Sequence, residues 1–274
     1  VFKYKPDIVY LDHANTFTAS ILSRFQKKIK IIYRVMGIYP SMRESLDSKS
    51  IIGFFYRWAY HSPFSLVICT QDGSGVEPWL SKSLNKKVER RIMLNGIDEI
   101  SKKFSPNLHL NNLPKDKKII LYVGKLERYK GCYDFVEALL ELKYRQINNF
   151  HALIIGTGSE AEKLKSLIKE NNSSSCFTFV DRMSHNQIFE AHKHSDIYVS
   201  MNYLGNLSNS NLEAIQANSC IVIPFEQKEN GIDVLTHKLL GNSVMSAPIK
   251  NPLALSRIIN ELICSDEKRV QMSN

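Results

Sequence analysis

The chain has 274 residues, 43% hydrophobic and 23% charged, which suits a globular protein long enough for two cores. Its 36 Lys and Arg against 27 Asp and Glu give a formal charge of +9, favouring an anionic partner without choosing among a phosphate ligand, nucleic acid and an acidic membrane. Five cysteines (Cys69, Cys132, Cys176, Cys220, Cys264) stand singly, which excludes paired zinc or redox spacing and suits reduced thiols in a cytoplasmic compartment. The most apolar stretch, 50–70, is broken by Arg57, His61 and Pro63, so membrane contact, if made, is expected to be peripheral, at the inner membrane face.

In chain order, strands are expected at 8–11, 29–35, 66–70 and 88–94, with helices near 16–25, 51–61 and 75–84. Short Val/Ile/Leu/Tyr runs alternate there with amphipathic stretches, the pattern of βα units and a parallel sheet. The opening without methionine and the charged, helix-like end at 266–274 are expected of an internal piece of a longer protein. The run Phe54, Phe55, Tyr56, Trp58 and Tyr60, with Arg57, is expected on a buried helix in preference to a lipid surface. His13 beside Asp12 is expected to be structural more than a base. Gln71-Asp72-Gly73-Ser74-Gly75 after the third strand is either a cleft border or a helix-capped turn.

From 98 to 117 neither hydrophobic period survives, and Pro106, Pro114 and several Asn mark a linker. The divisions are therefore 1–98, a linker at 99–117, and 118–274. The last part is expected to hold strands at 119–123, 151–155, 177–180, 197–200 and 221–223, each followed by a helix, with a final helix from Pro252. In such doubly wound sheets ligands sit beyond the carboxyl ends of the strands.

Three loops there carry chemistry. Gly124-Lys125-Leu126-Glu127-Arg128-Tyr129-Lys130-Gly131 places two lysines five apart before a helix, either to clamp a diphosphate or as a solvated basic turn. Gly156-Thr157-Gly158-Ser159 is expected to be a tight turn more than a phosphate contact, with Ser159 as helix N-cap. In Tyr203-Leu204-Gly205-Asn206-Leu207-Ser208-Asn209-Ser210-Asn211-Leu212-Glu213-Ala214, Ser208, Asn209 and Ser210 are expected to cap a helix whose N–H groups face an anion. Glu213 would accept two ribose hydroxyls, or merely favour the helix dipole. His192 and His194, two apart on a helix, point apart, and no metal site is expected.

The order and spacing of these loops resemble the donor domain of the GT-B retaining glycosyltransferases of family 4. Ser195-Asp196-Ile197-Tyr198-Val199-Ser200 and Asn95-Gly96-Ile97-Asp98 extend the likeness over most of the chain. The resemblance implies an α/β protein of two Rossmann-like domains facing across a cleft. Residues 1–98 would be the C-terminal part of the acceptor-side domain, truncated at its N-terminus, and 118–274 the nucleotide-sugar domain. It gives Lys125 and Lys130 the diphosphate and the catalytic role, and Glu213 the ribose. Gly124, Gly156, Ser208, Asn209 and Ser210 line the donor, and backbone around Arg182 and Met183 holds the base. Two positions depart. The family's first glutamate, eight residues before Glu213, is here Gly205, which leaves the sugar to Asn206 or Asn209; its histidine after the second strand is here Met36.

The implied activity is metal-independent, retaining transfer, hexosyltransferase-like, from a nucleotide-diphosphate sugar to a hydroxyl of a glycan or lipid-linked acceptor, as in cell-surface polysaccharide synthesis. No cofactor beyond the donor is implied. A non-catalytic GT-B nucleotide-binding or regulatory protein is the alternative. Nucleic acid is not expected as a partner, because no basic helix with interleaved aromatics stands out.

Overall fold

The structure, a computed structural model, describes residues 4–97 and 108–273. The expected linker as far as residue 107, and Asp98 of the Asn-Gly-Ile-Asp run, lie outside the described residues. The chain divides into two compact units, Val1–Asn95 with Gln227–Leu235, and Gly96–Glu226 with Thr236–Asn274.

In the first unit β1 (Ile8–Asp12), β2 (Lys30–Val35), β3 (Leu66–Gln71) and β4 (Arg90–Leu94) pair in parallel in sequential order. Right-handed crossovers in such an order carry the helices to one face. These are α1 (Thr16–Phe25), α2 (Pro40–Asp47), α3 (Ile51–Tyr60) and α4 (Val76–Ser83). They bury the alternate residues Ile31, Tyr33 and Val35 of β2 and Val67 and Cys69 of β3 together with Leu22, Tyr60, Trp79 and Leu80. The other strand residues, such as Ile32, Arg34, Leu66 and Ile68, are half-buried, and every side chain of β4 is exposed.

Two features differ from the sequence expectation. Helix α2 is additional; it begins with Pro40 at its first position after an extended Tyr39, where a ring-fixed φ and a missing N–H cost nothing. Helix α3 is not buried: Gly53, Ala59 and Tyr60 face inward, while Ile51, Ile52, Phe54 and Phe55 are 76, 68, 57 and 50% exposed. The cause lies at Gly53, where a Cβ would stand 2.7 Å from the Ser48 carbonyl oxygen. The helix approaches the end of α2 through its smallest residue and turns its bulky ones outward.

The Gln71–Gly75 run anchors the segment Gln227–Leu235, which packs as part of this unit. Ser74 and Ile232 form an antiparallel bridge, and the Asp233 N–H donates to the Gly73 carbonyl at 2.7 Å. Asp72 accepts from the Ser74 N–H at 3.0 Å and from its hydroxyl, and Ser74 Oγ accepts from the Ile38 N–H at 2.7 Å. Gly75, with φ 71°, leads into α4; a Cβ there would lie 2.3 Å from the Asn230 carbonyl oxygen.

The second unit opens with a short helix, α5 (Leu108–Asn111). It holds β5 (Lys118–Val123), β6 (Phe150–Ile155), β7 (Phe177–Val180), β8 (Ile197–Val199), β9 (Ile221–Pro224) and β10 (Val244–Ala247), parallel in the order β10-β9-β8-β5-β6-β7. The winding reverses between β5 and β8. Helices α6 (Cys132–Tyr144), α7 (Ala161–Glu170), α8 (His185–His194), α9 (Asn209–Gln216), α10 (Val234–Leu240, counted here from Thr236), α11 (Pro252–Cys264) and α12 (Asp266–Ser273) complete it. One core joins Ile120, Ile154 and Val222 to Leu139, Leu255 and Ile259; a second joins the alternate residues Leu121, Leu153, Tyr198 and Ile223 to Ala214. Cover on both faces is why these strands read as unbroken apolar runs. β10 adds a sixth strand, an edge strand whose Met245 and Ser246 are only half-buried, which leaves little pattern to read. Helix α11 starts where expected: the Asn251 side chain accepts from the Ala254 N–H at 3.0 Å, and Pro252 follows.

Candidate functional site

Parallel pairing brings the loops after β5, β6, β7 and β8 to one edge of the second sheet, around its point of reversal. The loops after β5 and β6 are stacked backbone on backbone. The Leu126 N–H donates to the Thr157 carbonyl at 2.9 Å, and the Glu160 N–H to the Leu126 carbonyl at 3.0 Å. Contact this close requires glycine: a Cβ at Gly156 would stand 1.9 Å from the Gly124 oxygen, and one at Gly158 2.3 Å from the Leu126 oxygen. The Gly-x-Gly pair is thus used in packing loop on loop. Ser159 does not cap α7, a correction to the sequence expectation. Its N–H and hydroxyl donate to the Glu127 carboxylate at 3.1 and 2.7 Å, and Glu160 takes the cap position. Those two bonds hold the Glu127 carboxyl below the usual range.

Lys125 is exposed and Lys130 half-buried, with the Lys130 ammonium 5.5 Å from the centre of the Tyr129 ring. Their backbone is fixed from beneath, because the buried Tyr122 hydroxyl donates to the Lys125 carbonyl at 3.0 Å and to the Lys130 carbonyl at 3.3 Å. The third basic residue, Arg128, is drawn to Glu160, Nε to Oε1 3.7 Å. After the single 3-10 turn Arg128–Lys130 the chain passes Gly131, φ 73°, where a Cβ would lie 2.2 Å from the Met201 oxygen. The Tyr203 N–H then donates to the Tyr129 carbonyl at 2.9 Å. The lysine loop and the loop after β8 are thereby joined.

The loop after β8 is ordered by its own amides. Asn206, 1% exposed, accepts from Ser200 Oγ at 3.1 Å and donates to the Asn202 carbonyl at 2.8 Å; its carbonyl accepts from Asn211 Nδ2 at 3.1 Å. Its side chain is turned into the loop, whereas Asn209 is exposed on the first turn of α9. The expected triple cap is also corrected. Ser208 alone occupies the cap position and makes no side-chain bond to the backbone, since its hydroxyl donates to Asn211 Oδ1 at 3.2 Å. Asn209 and Ser210 are the first helical residues. Gly205 has φ 142°, and its carbonyl accepts from Asn202 Nδ2 at 2.5 Å.

Glu213 lies one turn into α9 with its side chain 15% exposed, and its Oε1 is 3.0 Å from Nδ1 of His185. Sequence reasoning missed His185. The available signal was Ser184 followed by Gln187, a capping box that starts α8 just after β7 and puts His185 at its first residue. Arg182 is exposed and Met183 buried in the intervening loop. Also missed was Asp134, 4% exposed, whose Oδ2 accepts from the Tyr203 hydroxyl at 2.9 Å and from the Lys250 N–H at 3.0 Å. Burial raises its carboxyl pKa.

The histidines named from sequence lie apart from this edge. His192 is buried, with its pKa lowered to about 4 by burial, and His194 Nδ1 meets the Glu190 carbonyl at 2.8 Å. In the first unit Met36 is exposed after β2, and the His13 ring sits 5.6 Å from that of Tyr39.

Residues 107–274, more than half of the chain, match the family described as Glycosyl transferases group 1. One relative, named an uncharacterized glycosyltransferase, MJ1069 of Methanocaldococcus jannaschii, is 28% identical over 114 residues, 41% of this chain and 29% of the relative. The alignment thus spans less than a third of that relative's length. The chain also superposes on sucrose-phosphate synthase from Thermosynechococcus elongatus with TM-score 0.74 and 17% identity, over 100% of this chain and 68% of that one. For Anabaena HepE in complex with UDP and glucose the TM-score is 0.71 at 14% identity, over 99% and 72% of the two chains. WaaG, a glycosyltransferase involved in lipopolysaccharide biosynthesis, gives 0.67 at 14% identity, over 97% and 79%. These likenesses show a fold of two parallel-sheet α/β domains of the GT-B kind.

Proposed function

The chain belongs to the glycosyl transferases group 1 family, and from that premise we propose that the whole protein transfers a sugar from a nucleotide-diphosphate sugar to an acceptor hydroxyl, with the second unit binding the donor. The observation that carries this is the joining of the Lys125–Lys130 loop to the loop and helix of Glu213 where the sheet reverses its winding.

Lys125 and Lys130 would receive the diphosphate with the N-terminal turn of α9, at Ser208, Asn209 and Ser210. Charge accumulates on the leaving group as the sugar bond breaks, so fixed cations and N–H dipoles favour the transition state over the ground state. This gives the electrostatic work to the chain itself, with no metal or further cofactor. Gly124 and Gly156 let backbone approach the donor, Glu213 accepts the ribose hydroxyls, and backbone at Arg182 and Met183 meets the base. With Asn206 turned inward, Asn209 is the better candidate for the sugar.

The finer reading is retaining, family 4 chemistry on a glycan or lipid-linked acceptor, in cell-surface polysaccharide synthesis at the cytoplasmic side of a membrane, with peripheral contact. Among the described residues no helix is long and apolar enough to cross a membrane. The ligands of the Anabaena relative make UDP-sugars the first donors to try. A second reading, nucleotide binding without transfer, is favoured by Gly205 and Met36 at the two departing positions.

The test is a thermal-shift screen of nucleotide sugars on the full-length protein, followed by turnover with the best donor. Glu213→Ala and Lys130→Ala should each weaken the hit about tenfold or more, as loss of a charged hydrogen-bonding group does. Unchanged affinity in both would remove the donor site from this edge; a shift without transfer or donor hydrolysis would select the second reading.

A further inference from the structure

Asp134 stands in the first turn of α6, just past the lysine loop, and is 4% exposed. A carboxylate at such a place ordinarily serves its own helix. Here a single oxygen, Oδ2, serves two other loops: it accepts from the Tyr203 hydroxyl after β8 at 2.9 Å and from the Lys250 N–H after β10 at 3.0 Å.

The arrangement costs the fold in two places. Burial raises the Asp134 carboxyl, so its ionised form is disfavoured, and Glu137, one turn on, is raised by burial and by the Asp134 charge. Lys250 is held at φ 56°, in the left-handed region that a side chain of its kind rarely adopts. An outlier of that sort persists where the surroundings impose it, and such places gather at functional sites. Both costs converge on Tyr203. Its hydroxyl meets Asp134, and the ammonium of the exposed Lys250 lies 5.7 Å from the centre of its ring.

Tyr203 is also the tie between the two loops. Its N–H donates to the Tyr129 carbonyl at 2.9 Å, and the next residue, Lys130, has its ammonium 5.5 Å from the centre of the Tyr129 ring. A line of contacts therefore runs from the buried carboxylate through Tyr203 to the residue beside Lys130.

We propose that Asp134 is a positioning residue for the diphosphate: its carboxylate draws in the Tyr203 hydroxyl and so sets Lys130 and the loop after β8 on the phosphates as one unit. An ionised acceptor holds a hydroxyl more strongly than a neutral one does, which is what a charge at this place adds. The inference rests on the donor reading above, and Asp134 acts in it only through Tyr203.

The test is calorimetric titration of the full-length protein with UDP, GDP and ADP, then competition by the nucleoside of whichever diphosphate binds. Asp134→Asn keeps the shape and an oxygen for both donors but removes the charge. Tyr203→Phe removes the hydroxyl but keeps the ring and the N–H. Each should weaken the diphosphate ~3–10-fold, the size of one hydrogen bond to a charged group, with no further loss in the double variant. Nucleoside affinity should stay unchanged, because the pair acts on the phosphate loops alone. The melting temperature of Asp134→Asn should equal or exceed that of the parent, since no charge is then buried. A residue that only held the fold would instead lose melting temperature, nucleoside affinity and diphosphate affinity together, and that result would overturn the proposal. So would additive losses in the double variant, or variants that bind the diphosphate like the parent. A parent that binds none of the three diphosphates would overturn the donor reading itself, and this inference with it.

Discussion

The two sheets are built from similar apolar strands but are covered differently. In the second unit a core lies on each face, and the loops at the carboxyl edge are fastened to one another by backbone bonds and glycine contacts. In the first, one core lies under the helices, the opposite strand residues are half-buried, and large apolar side chains stand outside on α1 and α3. An apolar run announces a strand, but it does not say what covers it. The locked edge suits a site that must hold fixed charges in place, and the apolar helix face suits a surface that meets something else.

That contrast breaks most directly at the glycines. Gly156→Ala puts a Cβ 1.9 Å from a backbone oxygen at φ 144°, so loop must move from loop. The expected cost is ~3 kcal/mol or more of stability with loss of donor affinity. Phe55→Ser in the first unit should instead change stability by less than about 0.5 kcal/mol, as exposed substitutions usually do. Urea unfolding of the two variants checks both; equal costs would mean that the edge is not locked as described.

The next effect comes from His192, buried in the second unit with its ring centre 4.6 Å from that of Tyr198 and its Nδ1 3.4 Å from Ser219 Oγ. Burial lowers its pKa from 6.5 to about 4, so between those values the unfolded chain takes up a proton that the folded one refuses. Its contribution to stability is therefore complete above pH 6.5 and lost as pH falls toward 4. Linkage puts the loss at ~3 kcal/mol. His192→Phe should flatten that part of the stability profile in urea titrations; an unchanged slope would place the acid sensitivity elsewhere.

The strands and their order of appearance were legible because burial on both faces of a parallel sheet leaves runs such as Ile119 to Val123 and Ile221 to Ile223. The candidate edge was legible in part because glycine and lysine spacing survives in one dimension. What escaped is what depends on partners distant in sequence. Ser159 looks like a cap until Glu127, 32 residues earlier, takes its hydroxyl. Asn206 looks like a ligand residue until Ser200 and Asn202 enclose it. The outward turn of α3 follows from a close approach at Gly53 that no periodicity encodes. The passage of Gln227–Leu235 into the first unit rests on the Ser74–Ile232 bridge, a pairing across the chain with no local signature.

His185 offers the finest probe of the locked edge. Its Nδ1 faces Glu213 Oε1 at 3.0 Å from a ring that is itself 79% exposed, so its worth lies in aiming the carboxylate more than in holding the fold. Removing it should leave thermal stability nearly unchanged, since an exposed pair contributes ~0–1 kcal/mol. It should lower affinity for the donor nucleotide about 2–5-fold, the size of an exposed hydrogen bond. If His185 acts by positioning Glu213 on the ribose, the loss from His185→Ala should disappear in a Glu213→Gln background and for a 2′,3′-dideoxy nucleotide. Calorimetric titration of the parent, the two single variants and the double variant gives that coupling directly. An undiminished effect of His185→Ala in the Glu213→Gln background would mean that the imidazole touches the nucleotide on its own account, and the carboxylate would then be aimed by α9 alone.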